Sequence, residues 1–476
     1  MYKKNLRQRT SLSSFLSPLL LASLISAAYP VLANDKEEIE RQKSLIEQLD
    51  QRVKILDRKQ EIATEDAAAK QKTAPVLVAG EKGFSFKSAD GQFEYKFRGI
   101  VQLDYRTFGD DAYPTAVNGF LARRIRPTFE GTVFGKYGFR FTPEFAESGD
   151  GKVVDNSGSV VTNKTRVVDA YLDARLDPKF QVRLGKFKPV VGLERLQGAA
   201  DTKFIERSFV SGNFLPNRDL GVSVSGELLD NKLNYAVGIY NGIIDGGDST
   251  TAQDVNTGKD FTARLFATPF VGDGSKLEGL GFGLAATSGN TTGNALASYK
   301  TPGQVNSFFG YATGTTSNGQ RTRFAPQANY YYGPVGILTE YAVVNQDIVK
   351  GTNKARIQNN AWHVTASWLL TGEDASFKGV KPNSPFTTDG GWGAWELVAR
   401  YQENTIDADA VTTTFATTSA NATSAKTWGL GLNWYHNQSS KVAINWEQTS
   451  FDGGVGSKKL NGKKEDFLVA RYQLAF

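Results

Sequence analysis

The chain has 476 residues, with no Cys, one Met and two His, and carries 55 Lys and Arg against 49 Asp and Glu. Without Cys there is no disulfide and no thiolate metal site, a composition compatible with export, and two isolated histidines, His363 and His436, make no metal cluster. The mean hydropathy of −0.35 would suit a soluble protein, yet a barrel with a wet interior gives the same average, because its lipid-facing and lumen-facing residues cancel.

Residues 1–33 predict a secretory signal. Lys3, Lys4, Arg7 and Arg9 form a basic start, an apolar stretch runs from Leu12 to Ile25, and Val31-Leu32-Ala33 fits a small-residue cleavage site. Removing it takes four bases and no acid, which leaves 51 bases against 49 acids, a net charge of +2 instead of +6. The sequence pI of 9.0 therefore implies no nucleic-acid partner, and any attraction for anions depends on where the bases sit. No further apolar run of about 18 residues exists, which excludes helical membrane spans.

Residues 34–72 are charged and helix-prone. Ile39, Ile46 and Val53 recur every seven residues, as do Gln42, Leu49 and Leu56, giving an a/d seam of about three heptads flanked by charge. This spacing predicts a short coiled coil; a solvated single helix is the alternative. Residues 73–92, with Pro75, Gly80, Gly83 and Gly91, read as a linker.

From residue 93 the period changes to two. Phe93, Tyr95, Phe97, Val101, Leu103 and Tyr105 take one face, and Glu94, Lys96, Arg98, Gln102, Asp104 and Arg106 the other. Further strands are predicted near 120–134, 137–147, 166–176, 181–187, 218–229, 233–240, 261–268, 279–287, 321–332, 335–344, 360–370, 394–402, 427–436, 441–449 and 467–476, which makes roughly sixteen, an even number. Their connections alternate. Gly135-Lys136, Asp177-Pro178-Lys179, Asp230-Asn231, Gly333-Pro334 and Asn437-Gln438-Ser439 are short, whereas 148–165, 188–217, 241–260, 288–320, 345–359, 403–426 and 450–466 read as long polar loops. Two turns, near 270–278 and 371–393, are longer than that rule. A soluble sandwich would share the alternation, but not the long/short asymmetry or the aromatics gathered at strand ends. Residues 93–476 thus predict an all-β membrane protein, a 16-stranded antiparallel transmembrane β-barrel with both chain ends on the short-turn, periplasmic side.

A barrel of this size encloses a water channel unless something folds into it. The third long connection is the candidate for an inward-folded loop. It carries Lys188, Arg195, Lys203 and Arg207 beside Glu194, Asp201 and Glu206, with apolar residues such as Val191, Phe204, Phe209 and Phe214 that could pack against the wall. A rim loop with surface ion pairs is the plainer alternative. The strand register turns Arg98, Arg106, Arg124, Arg126, Arg140, Arg264, Arg321, Arg323, Arg400 and Arg471 inward, and also Asp104, Glu130, Glu144, Asp169, Asp173, Glu340, Glu396 and Glu447. Arg offers a planar fork matched to phosphate or carboxylate. Whether these acids hold the arginines or cancel them is open at this level.

Several stretches resemble the phosphate- and polyphosphate-selective porin family of Gram-negative outer membranes. They are Ala122-Arg123-Arg124 leading to Phe129-Glu130-Gly131-Thr132; Val182-Arg183-Leu184-Gly185-Lys186-Phe187 running on to Val191-Gly192-Leu193-Glu194-Arg195; Phe204-Ile205-Glu206-Arg207; Leu370-Thr371-Gly372-Glu373; Gly393-Ala394-Trp395-Glu396-Leu397; and Leu430-Gly431-Leu432-Asn433-Trp434-Tyr435. The last strand, with Leu468, Ala470, Tyr472, Leu474 and Phe476 on one face, resembles the closing strand of such barrels. The resemblance implies a homotrimer in outer-membrane lipid, an inward third loop, and an arginine ladder leading to a lysine/arginine constriction. By position, Arg207 resembles the central constriction arginine, Arg195 takes a place usually held by lysine, Asp169 matches a lumen aspartate, and Arg123 and Arg124 match ladder arginines. Arg126 and Lys188 stand where some members place an aromatic. The implied function is passive diffusion of small inorganic anions, phosphate or pyrophosphate/polyphosphate, with no cofactor and no catalysis, and with the coiled coil as a periplasmic stalk able to touch peptidoglycan. A general or organic-solute porin, and an envelope-tethering barrel gripping the cell wall, are the alternatives; no Ser–His pair supports a hydrolase.

Overall fold

The computed structural model describes residues 35–80, 83–110, 112–113, 116–146, 165–249, 256–417, 419–456 and 458–476. The predicted signal segment, the greater part of the loop at 148–165 and residues 250–255 lie outside the described residues. The chain divides into two units, Met1–Ala74 and Pro75–Phe476.

The first unit contains helix α1, Asp35–Thr73. Ile39, Ile46, Leu49, Val53 and Leu56 are 48–63% exposed, so none of the described residues covers the heptad seam.

The second unit is a closed antiparallel barrel. Its strands among the described residues are β1 (Glu94–Asp110), β2 (Gly119–Val133), β3 (Tyr137–Glu144), β4 (Arg166–Asp177), β5 (Phe180–Phe187), β6 (Asp219–Leu228), β7 (Leu233–Tyr240), β8 (Asp260–Ala267), β9 (Leu280–Ala295), β10 (Thr316–Tyr332), β11 (Val335–Lys350), β12 (Asn353–Leu369), β13 (Ala394–Thr405), β14 (Ser424–Tyr435), β15 (Ser440–Asp452) and β16 (Lys464–Ala475). Each pairs with the next, and β16 returns to β1 with Arg471 opposite Asp104 and Ala470 opposite Tyr105. Closure satisfies every edge, which a sheet immersed in lipid requires. The two-residue rhythm sets the faces. In β16, Leu468, Tyr472 and Leu474 are 39–48% exposed, whereas Phe467, Val469, Arg471 and Gln473 are at most 4% exposed. At the seam the chains approach so closely that a Cβ on Gly99 would stand 2.6 Å from the Phe476 ring. Among the described residues no helix is long and apolar enough to cross a membrane.

Two expectations change. Residues 345–359 are not a long loop: β11 and β12 run on to a tight turn at Gly351, with Lys350 opposite Asn353. The segment reads as polar because its outward residues include Asn345, Asp347, Lys354, Arg356 and Gln358, while Ile348 and Ile357 pack inward at 0–1% exposure. The same extension takes β9 to Ala295 and starts β10 at Thr316, well inside the expected loop 288–320. The span read as a linker holds a hairpin, Val76–Gly80 with Gly83–Lys87, whose second strand adds to β1 by pairing Phe84 with Phe97 and Lys87 with Glu94. Short strands bounded by glycines carry too little alternation to be recognised alone.

The wall is uneven. Strands β9–β12 have 16 or 17 residues, whereas β3, β5, β7 and β8 have eight. A continuous apolar core of Phe308, Phe309, Ile348, Val411, Phe415 and Phe451 gathers residues from the long strands and from the connections 296–315 and 406–423.

Candidate functional site

The chain leaves the wall after Phe187 and rejoins it at Asp219. Between them, side chains of seven strands hold its backbone. Gln102 of β1 donates to the Ala199 carbonyl (3.1 Å) and Gln327 of β10 to that of Val191 (2.8 Å). Glu340 of β11 accepts from the Leu193 and Glu194 N–H groups (2.5 and 3.0 Å), and Gln402 of β13 from Phe209 (2.7 Å). Asn433 of β14 donates to the Lys203 carbonyl (2.9 Å), Asn445 of β15 accepts from the Ile205 N–H (2.7 Å), and Gln473 of β16 donates to the Ala200 carbonyl (3.2 Å). Val191, Phe209, Val210, Phe214 and Leu215, all at 0–2% exposure, join the apolar core. These bonds satisfy backbone groups that no sheet pairs, and they fix the segment's course.

One side of this segment faces a cavity of about 560 Å³. Nine bases line it (Arg123, Arg124, Arg126, Arg166, Lys188, Arg195, Arg207, Arg218 and Lys300) against three acids (Glu206, Asp245 and Asp248), a balance of +6. A second cavity, of about 370 Å³, shares Arg126, Lys188, Ala199 and Arg218 with the first and adds Arg98, Arg140, Asp169 and Arg183. A third, of about 560 Å³, shares Arg98, Ala200, Ala475 and Phe476 with the second. The boundary between the first two cavities is thus lined by three bases and an alanine.

Many of the arginines are matched. Arg126 meets Glu144 at 2.5 Å, Arg140 meets Glu130 at 2.5 Å, Arg183 meets Asp173 at 2.7 Å, and Arg218 meets Asp169 at 3.0 Å. Four bases on the first cavity form no ion pair among the described residues. Arg124 donates to Gln102 Oε1 (2.6 Å), Lys188 to the Gln197 carbonyl (2.8 Å), Arg195 to Asn217 Oδ1 (3.1 Å) and Arg207 to the Gln197 carbonyl (2.9 Å). The Nε–H groups of Arg124 and Arg195 are buried without an acceptor. Burial, together with Arg207 and Arg218, pushes the Lys188 ammonium well below the usual lysine range. The same causes bring Arg195 down to about 9. Burial lowers Arg207 too, although Glu194 works against it. Charge held under such conditions gains from an arriving anion, which supplies the missing acceptor and counter-charge together.

The family model for phosphate-selective porin O and P matches residues 93–476. This chain belongs to that family. Porin O of Pseudomonas aeruginosa is 23% identical over 434 residues, covering 85% of this chain and 93% of that protein. Among solved structures, the outer-membrane channel DcaP of Acinetobacter baumannii superposes with a TM-score of 0.50 at 10% identity, over 82% of this chain and 99% of that one. The high-pH structure of Pseudomonas putida OprB gives 0.49 at 9% identity, over 81% and 95%. This porin is a protein of the Gram-negative outer membrane.

Of the residues singled out from the sequence, Arg123, Arg124, Arg126, Lys188, Arg195 and Arg207 of this porin line the first cavity. Arg140 and Asp169 line the second. Lys203 lines none of the three; it is 7% exposed and bonded to Glu396 at 2.7 Å. Strict alternation would turn either Arg123 or Arg124 outward. A β-bulge resolves this, because Gln102 pairs with Arg124 and Leu103 with Ala122, which makes Arg123 the extra residue and leaves both arginines buried. The sequence assigns Arg218 no role, and it is the last residue before β6. It lines two cavities and meets an aspartate 49 positions away. In the sequence Glu206 is only a neighbour of loop bases. It accepts from Arg123 at 2.7 Å and Arg106 at 2.7 Å, with Arg471 at 3.4 Å. No local signal distinguishes such a partner. His363, read as isolated, lies 3.4 Å from Glu340 and forms a buried group with it and Glu194. The oxygens of those carboxylates already accept from Leu193, Glu194 and Ser208, which explains the group as an anchor of the segment.

Proposed function

We propose that this porin is an anion-selective diffusion channel in which segment 188–218 folds into the bore and narrows it, with phosphate or a polyphosphate as the favoured ion. The observation that carries the reading is the +6 balance on the first cavity, with Arg124, Lys188, Arg195 and Arg207 lacking carboxylate partners among the described residues. An anion entering from the loop side would meet Arg123 and Arg124, pass between Arg195, Arg207 and Lys188, cross the boundary lined by Arg126, Lys188 and Arg218, and leave past Arg140 and Arg98. A low-dielectric bore strengthens each attraction, and backbone carbonyls on Lys188 and Arg207 keep these bases from binding too tightly for exit. Asp169 tempers Arg218 in the same way. The family's description supports phosphate as the ion. We take the working form to be a homotrimer, with the seam of α1 forming a periplasmic three-helix stalk able to reach peptidoglycan. Reversal potentials in planar bilayers under a KCl gradient test the reading: anion preference, with chloride current reduced by added phosphate, is the expected result. Cation preference would overturn it.

A further inference from the structure

Glu206 occupies a place that an oxyanion would fit. Its carboxylate accepts from Arg123 Nε at 2.7 Å and Nη2 at 3.1 Å, and from Arg106 Nη2 at 2.7 Å, with Arg471 Nη2 at 3.4 Å. These arginines come from β2, β1 and β16, and all are at most 6% exposed. Asp104 supplies the other counter-charge, bonding Arg106 at 2.8 Å and Arg471 at 2.6 Å. Among the described residues, three guanidinium groups here face two carboxylates, a balance of +1. Guanidinium forks bind carboxylate and phosphate oxygens with the same geometry. Glu206 also lines the first cavity, between Arg123 and Arg207, and it is the acid of that lining contributed by segment 188–218; the other two, Asp245 and Asp248, lie on the connection after β7.

We infer that Glu206 is a tethered counter-ion filling an oxyanion cradle of Arg106, Arg123 and Arg471, and that it determines how strongly the bore holds a passing anion. The inference rests on the anion-channel reading above. With Glu206 in place, the cradle offers a free ion little, and transit depends on the unpaired bases. Without its charge the cradle rises to +2 and becomes a second stopping point beside Arg124 and Arg207. Ions are then more strongly selected and slower to leave.

The test uses full-length protein in planar bilayers, with Glu206→Gln compared to wild type and inorganic phosphate as the probe. The expected result is a rise of roughly threefold or more in the anion-over-cation permeability ratio, and a lower half-blocking phosphate concentration. Adding Arg123→Gln to the variant returns both towards wild type. An unchanged ratio in Glu206→Gln, with wild type anion-selective, overturns the inference alone; a cation-selective wild type overturns the channel reading and is seen before any variant is made. If Glu206→Gln does not assemble, Glu206→Ala is folded with and without phosphate. Phosphate-dependent recovery of the heat-stable barrel, absent in wild type, supports the cradle, and its absence overturns it.

Discussion

The sharpest consequence of the geometry concerns Arg207. Its guanidinium is held by backbone carbonyls, at 2.9 Å to Gln197 and 3.4 Å to Glu194, and by no carboxylate among the described residues. Arg207→Gln removes the charge and retains a side chain able to donate to one of those carbonyls, so the loss falls on the anion more than on the segment. A hydrogen bond to a charged group contributes about 1.5–3 kcal/mol. Lys188 and Arg195 remain on the same cavity and take up part of the load, which favours the lower half of that range. At about 1.4 kcal/mol per factor of ten, phosphate block of the chloride current should weaken roughly 10- to 40-fold. The assay is the phosphate concentration that halves single-channel chloride current, with heat-modifiable mobility on gels as the check on folding. A shift of less than about twofold in a normally folded variant would refute the placing of Arg207 at the narrowing.

Lys188 predicts a pH dependence. Burial beside Arg207 and Arg218 lowers its pKa, so the ammonium discharges at a pH below the ordinary lysine range, and chloride selectivity should fall as pH rises through that step. Lys188→Gln should remove the step; bilayer reversal potentials against pH read both. The sign for stability is opposite to that of a salt-bridged lysine. The folded state favours the neutral amine, so this group's contribution grows as pH rises from the folded pKa towards the unfolded one. At the barrel seam, Gly99→Val drives a side chain into the Phe476 ring, where even a Cβ stands at 2.6 Å, and should cost about 1–3 kcal/mol, visible as a lower temperature of heat modification. In α1, replacing Ile46 and Leu49 with Asp should weaken the assembled oligomer towards heat and detergent while single-channel conductance stays the same, because the seam residues are exposed in the single chain.

The barrel was legible in the sequence because face alternation is local: each residue's neighbours at i and i+2 state which side meets lipid and which meets the bore. All sixteen strands follow from that rhythm and from the turn residues between them. The same locality misled where polarity inverts. At 345–359 the outward residues are mostly polar, and Ile348 and Ile357 are apolar residues of a mixed inward face, so a strand presents itself as a polar loop. Which bases take a carboxylate partner was decided only by the tertiary structure. Arg471 meets an aspartate 367 positions away, Arg123 a glutamate 83 away, and Arg218 an aspartate 49 away. Charge pairing acts through space over a few ångströms, and a sequence of inward arginines and inward acids is consistent with full neutralisation or with none. Closing the cylinder matched most of these bases and left four on one cavity without an ion pair among the described residues.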